Sequence, residues 1–262
     1  MAQAVVDRFI KVSGGYEAWQ EANTCYIKSH VQNWDSLELY VNRTEGDTSR
    51  YICSEYYQNN QFVTLTQYLQ TDRKPILTGS GGELFWVASI DSVKGEVPGM
   101  QLMIAERAAS HNEAYFLLSV LKRGIPLTYV GARSKHGHRY EVVSLPLFTG
   151  DTEYYFDSAT GLLRFKIATK HDWYKEYTNY QWVSTGDRRR LCAGIHILYR
   201  NDSPVREELR KHIVFNRSVD TELFYSDIVR ENAFMKKHLF LDAAIGIEAV
   251  AKPTPTIFKL NK

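Results

Sequence analysis

From Thr24 onward the apolar residues of this 262-residue chain recur at every second position, and the runs that carry them are divided by very short polar turns. Such alternation marks strands with one buried face. The short connections select antiparallel pairing, because parallel neighbours need a crossover of a dozen or more residues. The expected strands cover 24–34, 37–45, 49–57, 61–70 and 84–90, with Asp35-Ser36, Glu45-Gly46-Asp47 and Asn59-Asn60 as turns. The stretch 71–83 (TDRKPILTGSGGE) is rich in Gly, Pro and charge and reads as a loop. Farther along, three hairpins turn at Lys135–Gly137, Asp157–Gly161 and Thr185–Asp187, and a last strand covers 208–216.

Helical spacing appears in three places. Val5, Val6, Phe9 and Ile10 form one apolar stripe over residues 3–12. Gly14 fits the position just past that helix, where the chain turns left-handed. A second short helix runs from Tyr16 to Ala22, with Trp19 as its large anchor. Residues 101–122 interrupt the strands with a helix whose apolar mass comes from Tyr115, Leu118, Val120 and Leu121; Gly124 and Pro126 stop it. The order is thus helices, about five strands, a helix and about six strands, an α+β pattern. A meander that long must curve, and a helix is the economical cover for its inner face. One domain is expected over residues 1–226, with 227–262 an extension made of a helix near 231–250 and a polar tail.

Composition removes several functions. Lys plus Arg number 32 against 30 Asp plus Glu, a net charge of +2, which gives nucleic acid no electrostatic purchase. The three cysteines, Cys25, Cys53 and Cys192, have no CxxC or Cys/His ligand spacing and read as buried thiols. No apolar run approaches the ~20 residues of a membrane span. Met1-Ala2-Gln3-Ala4 leads straight into a helix with no signal peptide visible, so the chain is either cytoplasmic or an exported protein whose Met1 replaces a removed signal.

Catalytic signatures are sparse. His136 and His138 flank a hairpin tip and lack a third ligand, so no metal is called for. The GSGG stretch at 79–82 lacks both the P-loop Lys and a dinucleotide fingerprint, and no other cofactor motif is present. There is no Gly-x-Ser-x-Gly elbow and no HExxH. DRRRL at 187–191 reads as a solvated basic tip, and His111 and Glu113 are two apart and share no helical face. His171, Asp172 and His196 remain as acid/base candidates, although His171 and Asp172 would face opposite sides of a strand. The positive signal is aromatic: 13% of residues, including 17 Tyr. Trp34, Phe85, Trp86, Phe116, Phe165, Trp173 and Trp182 fall on strands or the central helix and are the expected wall of a hydrophobic ligand cavity.

These motifs, in this order, resemble a known family. Gly14-Gly15-x-Glu17-Ala18-Trp19 ends the first helix. Val130-Gly131 follows, with Gly137, Tyr140 and Val142, and then Asp157-x-x-Thr160-Gly161-Leu162 before a strand. The pattern is similar to the LolA/LolB-like outer-membrane lipoprotein-sorting superfamily across residues 3–226. The resemblance implies an unclosed, half β-barrel of about 11 antiparallel strands with helices on its concave face. It also implies an apolar cavity for acyl chains, a periplasmic or envelope location, and a lipoprotein or envelope partner. Three functions follow as expectations. A non-catalytic carrier needs only burial of a lipid, and predicts few titratable groups inside. An enzyme in the same barrel would isomerise or cyclise a polyene, polyketide or terpenoid with one positioned acid or base; it predicts a Tyr, His, Asp or Glu converging among the aromatics. A structural envelope protein predicts a filled core.

Overall fold

A computed structural model describes residues 1–34, 49–58, 61–69, 76–80, 85–89, 93–97, 112–147, 150–170 and 172–217. Three helices are among them: α1 (Ala2–Val12), α2 (Tyr16–Gln20) and α3 (Glu113–Lys122). The α1 stripe buries Val6, Phe9 and Ile10, as its spacing requires. Its end is a Schellman arrangement: the Gly15 N–H donates to the Ile10 carbonyl and the Gly14 N–H to that of Lys11. Gly14 has φ 129°, and a Cβ there would lie 2.5 Å from the Arg189 carbonyl oxygen. The Leu191 N–H donates to the Ser13 carbonyl beside it, at 2.8 Å. The double glycine is therefore a turn and a docking point at once. Trp19 follows it into the core, fully buried, donating its indole N–H to Ser13 and standing edge-on to Phe215.

The strands are β1 (Thr24–Asn33), β2 (Ser49–Gln58), β3 (Gln61–Tyr68), β4 (Ile76–Ser80), β5 (Phe85–Ser89), β6 (Val93–Val97), β7 (Thr128–Lys135), β8 (His138–Leu147), β9 (Gly150–Asp157), β10 (Leu163–Ala168), β11 (Trp173–Thr185), β12 (Arg188–Arg200) and β13 (Ser203–Phe215). All pairings are antiparallel, and they make one unclosed sheet in the order β6-β5-β4-β3-β2-β1-β13-β12-β11-β10-β9-β8-β7. Every neighbour in it is a sequence neighbour except one pair. β1 joins β13 and so welds the two meanders together.

Among the described residues the sheet has thirteen strands, where about eleven were expected. β4 lies inside the stretch read as a loop: Ile76-Leu77-Thr78-Gly79-Ser80 has modest strand propensity but is paired on both sides, by β3 and β5. β6 extends the same edge. The expected strand 37–45 and residues 101–111 of the expected central helix lie outside the described residues. α3 itself begins at Glu113, where Asn112 caps it by accepting the Ala114 N–H. β13 starts earlier than expected because Asn201 and Asp202, with φ 48° and 59°, form a two-residue type I′ turn. Pro204, the second residue of β13, is tolerated where the register with β12 shifts.

The turns at 136–137 and 157–161 form as read. His136 and Gly137 both have positive φ, and Lys135 faces His138 across the turn. The Asp157 carboxylate accepts the N–H groups of Ala159 and Thr160 and the Thr160 hydroxyl. Partial burial opposes ionisation there, but those donors hold its carboxyl below the usual range. Arg8 of α1 reaches across and donates to the Ser158 and Ala159 carbonyls. Its side chain passes 3.0 Å from where a Gly161 Cβ would sit. The first helix is thus latched onto a turn about 150 residues away.

The main core lies between the helices and one face of the sheet. Val6, Phe9, Ile10, Trp19, Phe116, Leu117 and Val120 share it with Cys25, Ile27, Tyr57, Phe62, Val143, Leu145, Tyr154, Phe156 and Phe215. A second, smaller cluster occupies the opposite face: Tyr140, Val142, Tyr155, Phe165 and Tyr174.

Candidate functional site

The helix-bearing face of the sheet changes character along its strands. Under α1 and α2 it is apolar. Toward the middle of β10–β13 it becomes charged. Strand register shows how. Tyr154, Lys166 and Lys175 stand opposite one another on β9, β10 and β11, and Tyr177, His196, Glu208 and Val31 form a row across β11, β12, β13 and β1. Ser29 faces Arg210 one step along. From above, the first turn of α3 lowers Glu113 onto this row.

Two carboxylates organise the array. Glu113 Oε1 accepts the Tyr177 hydroxyl at 2.6 Å and the Lys166 ammonium at 3.2 Å. Lys166 also lies over the rings of Phe116 and Tyr154. Glu208 Oε1 accepts Arg210 Nε at 2.9 Å and the Ser29 hydroxyl at 3.1 Å, while Arg206 stands 3.7 Å from Oε2. Burial would raise the Glu208 carboxyl, but Arg210, with Arg206 and Lys175 near, drives it well below the usual range. Burial and Glu113 push the Tyr177 phenol well up. The His196 ring meets Tyr177 edge-on at 4.8 Å, and burial with Arg210 beside it keeps the imidazole neutral, well below its ordinary pKa.

Three groups in this array are unsatisfied. His196 is 6% exposed, yet its Nδ1 has no hydrogen-bond partner; Glu113 is 7% exposed, yet Oε2 has none. Lys175 has no hydrogen bond or ion pair among the described residues. Burial and the Lys166 ammonium opposite lower it to about 8. Buried unpaired atoms such as His196 Nδ1 and Glu113 Oε2 are rare in finished cores and cost ~1–3 kcal/mol each, whereas Lys175 is only half-buried.

The apolar end holds one surprise. Arg190 is fully buried: its Nε donates to the Ala18 carbonyl at the end of α2, its guanidinium covers Phe215 at 4.8 Å, and both terminal nitrogens lack partners. The basic run at 187–191 is therefore not a solvated tip. Arg188 pairs with Glu17 of α2 and with Glu21 just past its end, and Arg189 lies over Trp182. The run fastens the second helix to β12.

Of the sequence candidates, His196 lies in the array. Asp172 is exposed and paired with Arg200 at 3.1 Å. His171 lies outside the described residues. The aromatic set does not converge. Phe116 sits over Lys166 on the helix-bearing face, and Trp173 shares the parity of Lys175 and Tyr177 on β11. Phe165 lies on the opposite face, in the second cluster, because it alternates with Lys166. Trp182 is 49% exposed, near the hairpin tip. Trp34 is partly buried just beyond β1, its N–H donating to Val205. Phe85 and Trp86 lie on β5, and nothing of their side chains is described. Glu113, Lys166, Lys175, Tyr177, Glu208 and Arg210 were not read as site residues. For the five on strands the one signal is a polar side chain at a position whose parity matches the buried residues; Glu113, on α3, has none. Cys25, Cys53 and Cys192 are buried free thiols. Among the described residues no group of three His, Cys, Asp or Glu could hold a metal ion.

The unclosed antiparallel sheet with helices packed on one face is a fold shared with solved structures, a LolA superfamily protein among them. No family model matches the sequence, and no curated protein matches it. Solved structures carry the likeness. A LolA superfamily protein from Nitrosomonas europaea aligns with TM-score 0.53 at 11% identity, over 86% of this chain and 98% of its own. A DUF1329 family protein from Desulfovibrio piger aligns with TM-score 0.54 at 10% identity, over 86% and 98%. A Vibrio parahaemolyticus domain named for outer-membrane lipoprotein sorting aligns with TM-score 0.55 at 12% identity, over 88% and 100%. Sequences this divergent share the fold alone.

Proposed function

We propose that this protein is a carrier or sorting protein that binds a hydrophobic ligand, a lipid or a lipoprotein acyl chain, on the helix-bearing face of its sheet. The observation that carries the reading is the unclosed sheet with its helices gathered on one face, the arrangement shared with the solved structures above. An unclosed barrel has a concave side, which the helices would cover. Burial of a chain there supplies about 0.8 kcal/mol per methylene without any catalytic group, and the titratable groups on the same face exceed the few that such a carrier was expected to hold. Residues 1–226 would form this binding domain, and 227–262 a separate extension. Phe116 and Trp173 share the face with the array; Trp34 and one of the adjacent pair Phe85 and Trp86, which alternate across β5, would be the further aromatic contributors. A periplasmic or envelope location suits such a carrier, and a lipoprotein or envelope protein would be its partner. No helix among the described residues is long and apolar enough to cross a membrane. Native mass spectrometry of the purified chain tests the reading: a co-purified lipid, released on denaturation, is expected. An empty protein that also fails to take up a fluorescent fatty-acid probe would overturn it.

A second reading has its own observation. Tyr177, His196, Glu113 and Glu208 converge beside aromatic rings, with His196 neutral and Nδ1 unpaired. That is the arrangement an acid/base isomerase or cyclase of a polyene, polyketide or terpenoid would need. Incubation with conjugated polyenes, followed by absorbance, distinguishes the two. Conversion that disappears in His196→Gln supports the enzyme; binding without conversion supports the carrier.

A further inference from the structure

The charged array is specific in what it leaves open. Among the described residues, Glu113, Glu208 and Glu55 face Lys166, Lys175, Arg206 and Arg210: three carboxylates against four cations. Lys166 is held by Glu113. Arg210 and Arg206 share Glu208 and feel Glu55. Lys175 is the surplus cation. It stands between Lys166 on β10 and Leu198 on β12, on the face that carries Tyr177 and His196, and no acceptor meets its ammonium among the described residues.

We propose that Lys175 receives the anionic headgroup, a carboxylate or phosphate, of an amphiphile whose chain lies along the apolar part of the same face. This rests on the carrier reading and names the ligand class. Two further atoms point the same way. His196 Nδ1 and Glu113 Oε2 are buried and unpartnered, and both residues lie within reach of the Lys175 charge. In its Nδ1–H tautomer His196 donates a second hydrogen bond to the anion. Glu113 Oε2 accepts one from a hydroxyl on the headgroup. A bound anion gives the ammonium the partner it lacks and offsets the repulsion from Lys166, so ligand binding and proton retention at Lys175 reinforce each other. The other groups facing Lys175 are Glu113 from α3, Tyr177 on its own strand, His196 from β12, and Glu208 and Arg206 from β13. Tyr177 and His196 are neutral at neutral pH, and Glu208 and Arg206 stay ionised through the range in which Lys175 titrates.

The test uses the full chain, stripped of bound lipid, titrated calorimetrically with dodecanoate, dodecyl phosphate and dodecanol. The expected result is a preference for at least one anion over the alcohol of about ten- to hundredfold, the range for a hydrogen bond to a charged group. The two anions separate a carboxylate from a phosphate head. Lys175→Met should lower anion affinity to that of dodecanol and leave dodecanol binding unchanged. Lys175→Arg should retain most of the preference. Unchanged dodecanol binding in both variants also shows that they fold. Raising the pH from about 7 to about 9 should erode the preference in the wild type and not in Lys175→Arg. Equal affinity for all three ligands, or a preference that survives Lys175→Met, overturns the headgroup site and leaves the carrier reading standing. Failure to bind any of the three overturns both.

Discussion

The two faces of the sheet carry similar side chains to opposite ends. On the face away from the helices, Tyr140, Tyr155, Phe165 and Tyr174 form a tight cluster, with Tyr199 stacked on Tyr174 at 4.7 Å. Its charges are settled. Arg133 pairs with Glu153 and donates to the Tyr155 hydroxyl, Arg164 pairs with Glu176, Tyr199 donates to Glu176, and Lys135 lies over the Phe165 and Tyr174 rings. On the helix-bearing face the same ingredients leave Lys175, His196 Nδ1 and Glu113 Oε2 without partners. A self-satisfied cluster is what stability alone produces. A half-buried cation beside buried atoms with open valences is what binding produces.

The contrast can be broken most severely at its carboxylates. Glu208→Ala strands Arg210 and Arg206 in the interior and should cost about 3–5 kcal/mol. Glu153→Ala, on the partly exposed pair of the other face, should cost no more than about 1 kcal/mol. Urea denaturation of both variants checks this, and equal losses would dissolve the distinction. Next, Phe165→Ala should cost about 3 kcal/mol and leave ligand affinity untouched. Tyr177→Phe should cost only about 1 kcal/mol while changing affinity. Fluorescent-probe titration beside the denaturation curves separates them.

A smaller effect lies in the pH profile. His196 has a folded-state pKa below its unfolded one, so the unfolded chain takes up the proton first. Its contribution is intact above about pH 6.5 and is lost as the pH falls below that. Between pH 7 and 5 the wild type should therefore lose stability more steeply than His196→Gln. Parallel slopes would mean that the imidazole is not desolvated as described. The smallest effect is expected at Trp182→Ser, a half-exposed position under Arg189, where the change should stay within about 0.5 kcal/mol.

The meander and its hairpins were legible because turn chemistry is local. His136-Gly137 and Asp157 through Gly161 declare themselves within a few residues. β4 was not, since Thr78, Gly79 and Ser80 become a strand only through neighbours on both sides. The site was legible at one residue, His196. Glu113 was set aside because its near neighbour His111 shares no face with it. Its partners Lys166 and Tyr177 lie 53 and 64 residues away, and no local spacing encodes that. Period two separates Phe165 from Lys166 but does not say which of them faces the helices, so Phe165 and Trp182 were placed on the ligand wall with Phe116.

The pairing of β1 with β13 has a consequence for how the molecule is made. Cys25 faces Phe215, so the central seam of the sheet joins segments about 190 residues apart. A ribosome has released nearly the whole β1–β12 path before that seam can zip. Until then β1 and β12 both present bare strand edges, the kind that recruit other chains. So distant a contact also slows folding, because loop closure must precede its reward. The last of the described strands to emerge is the one that makes the two meanders a single sheet, and chains stalled before Ser203 should be the ones that chaperones hold.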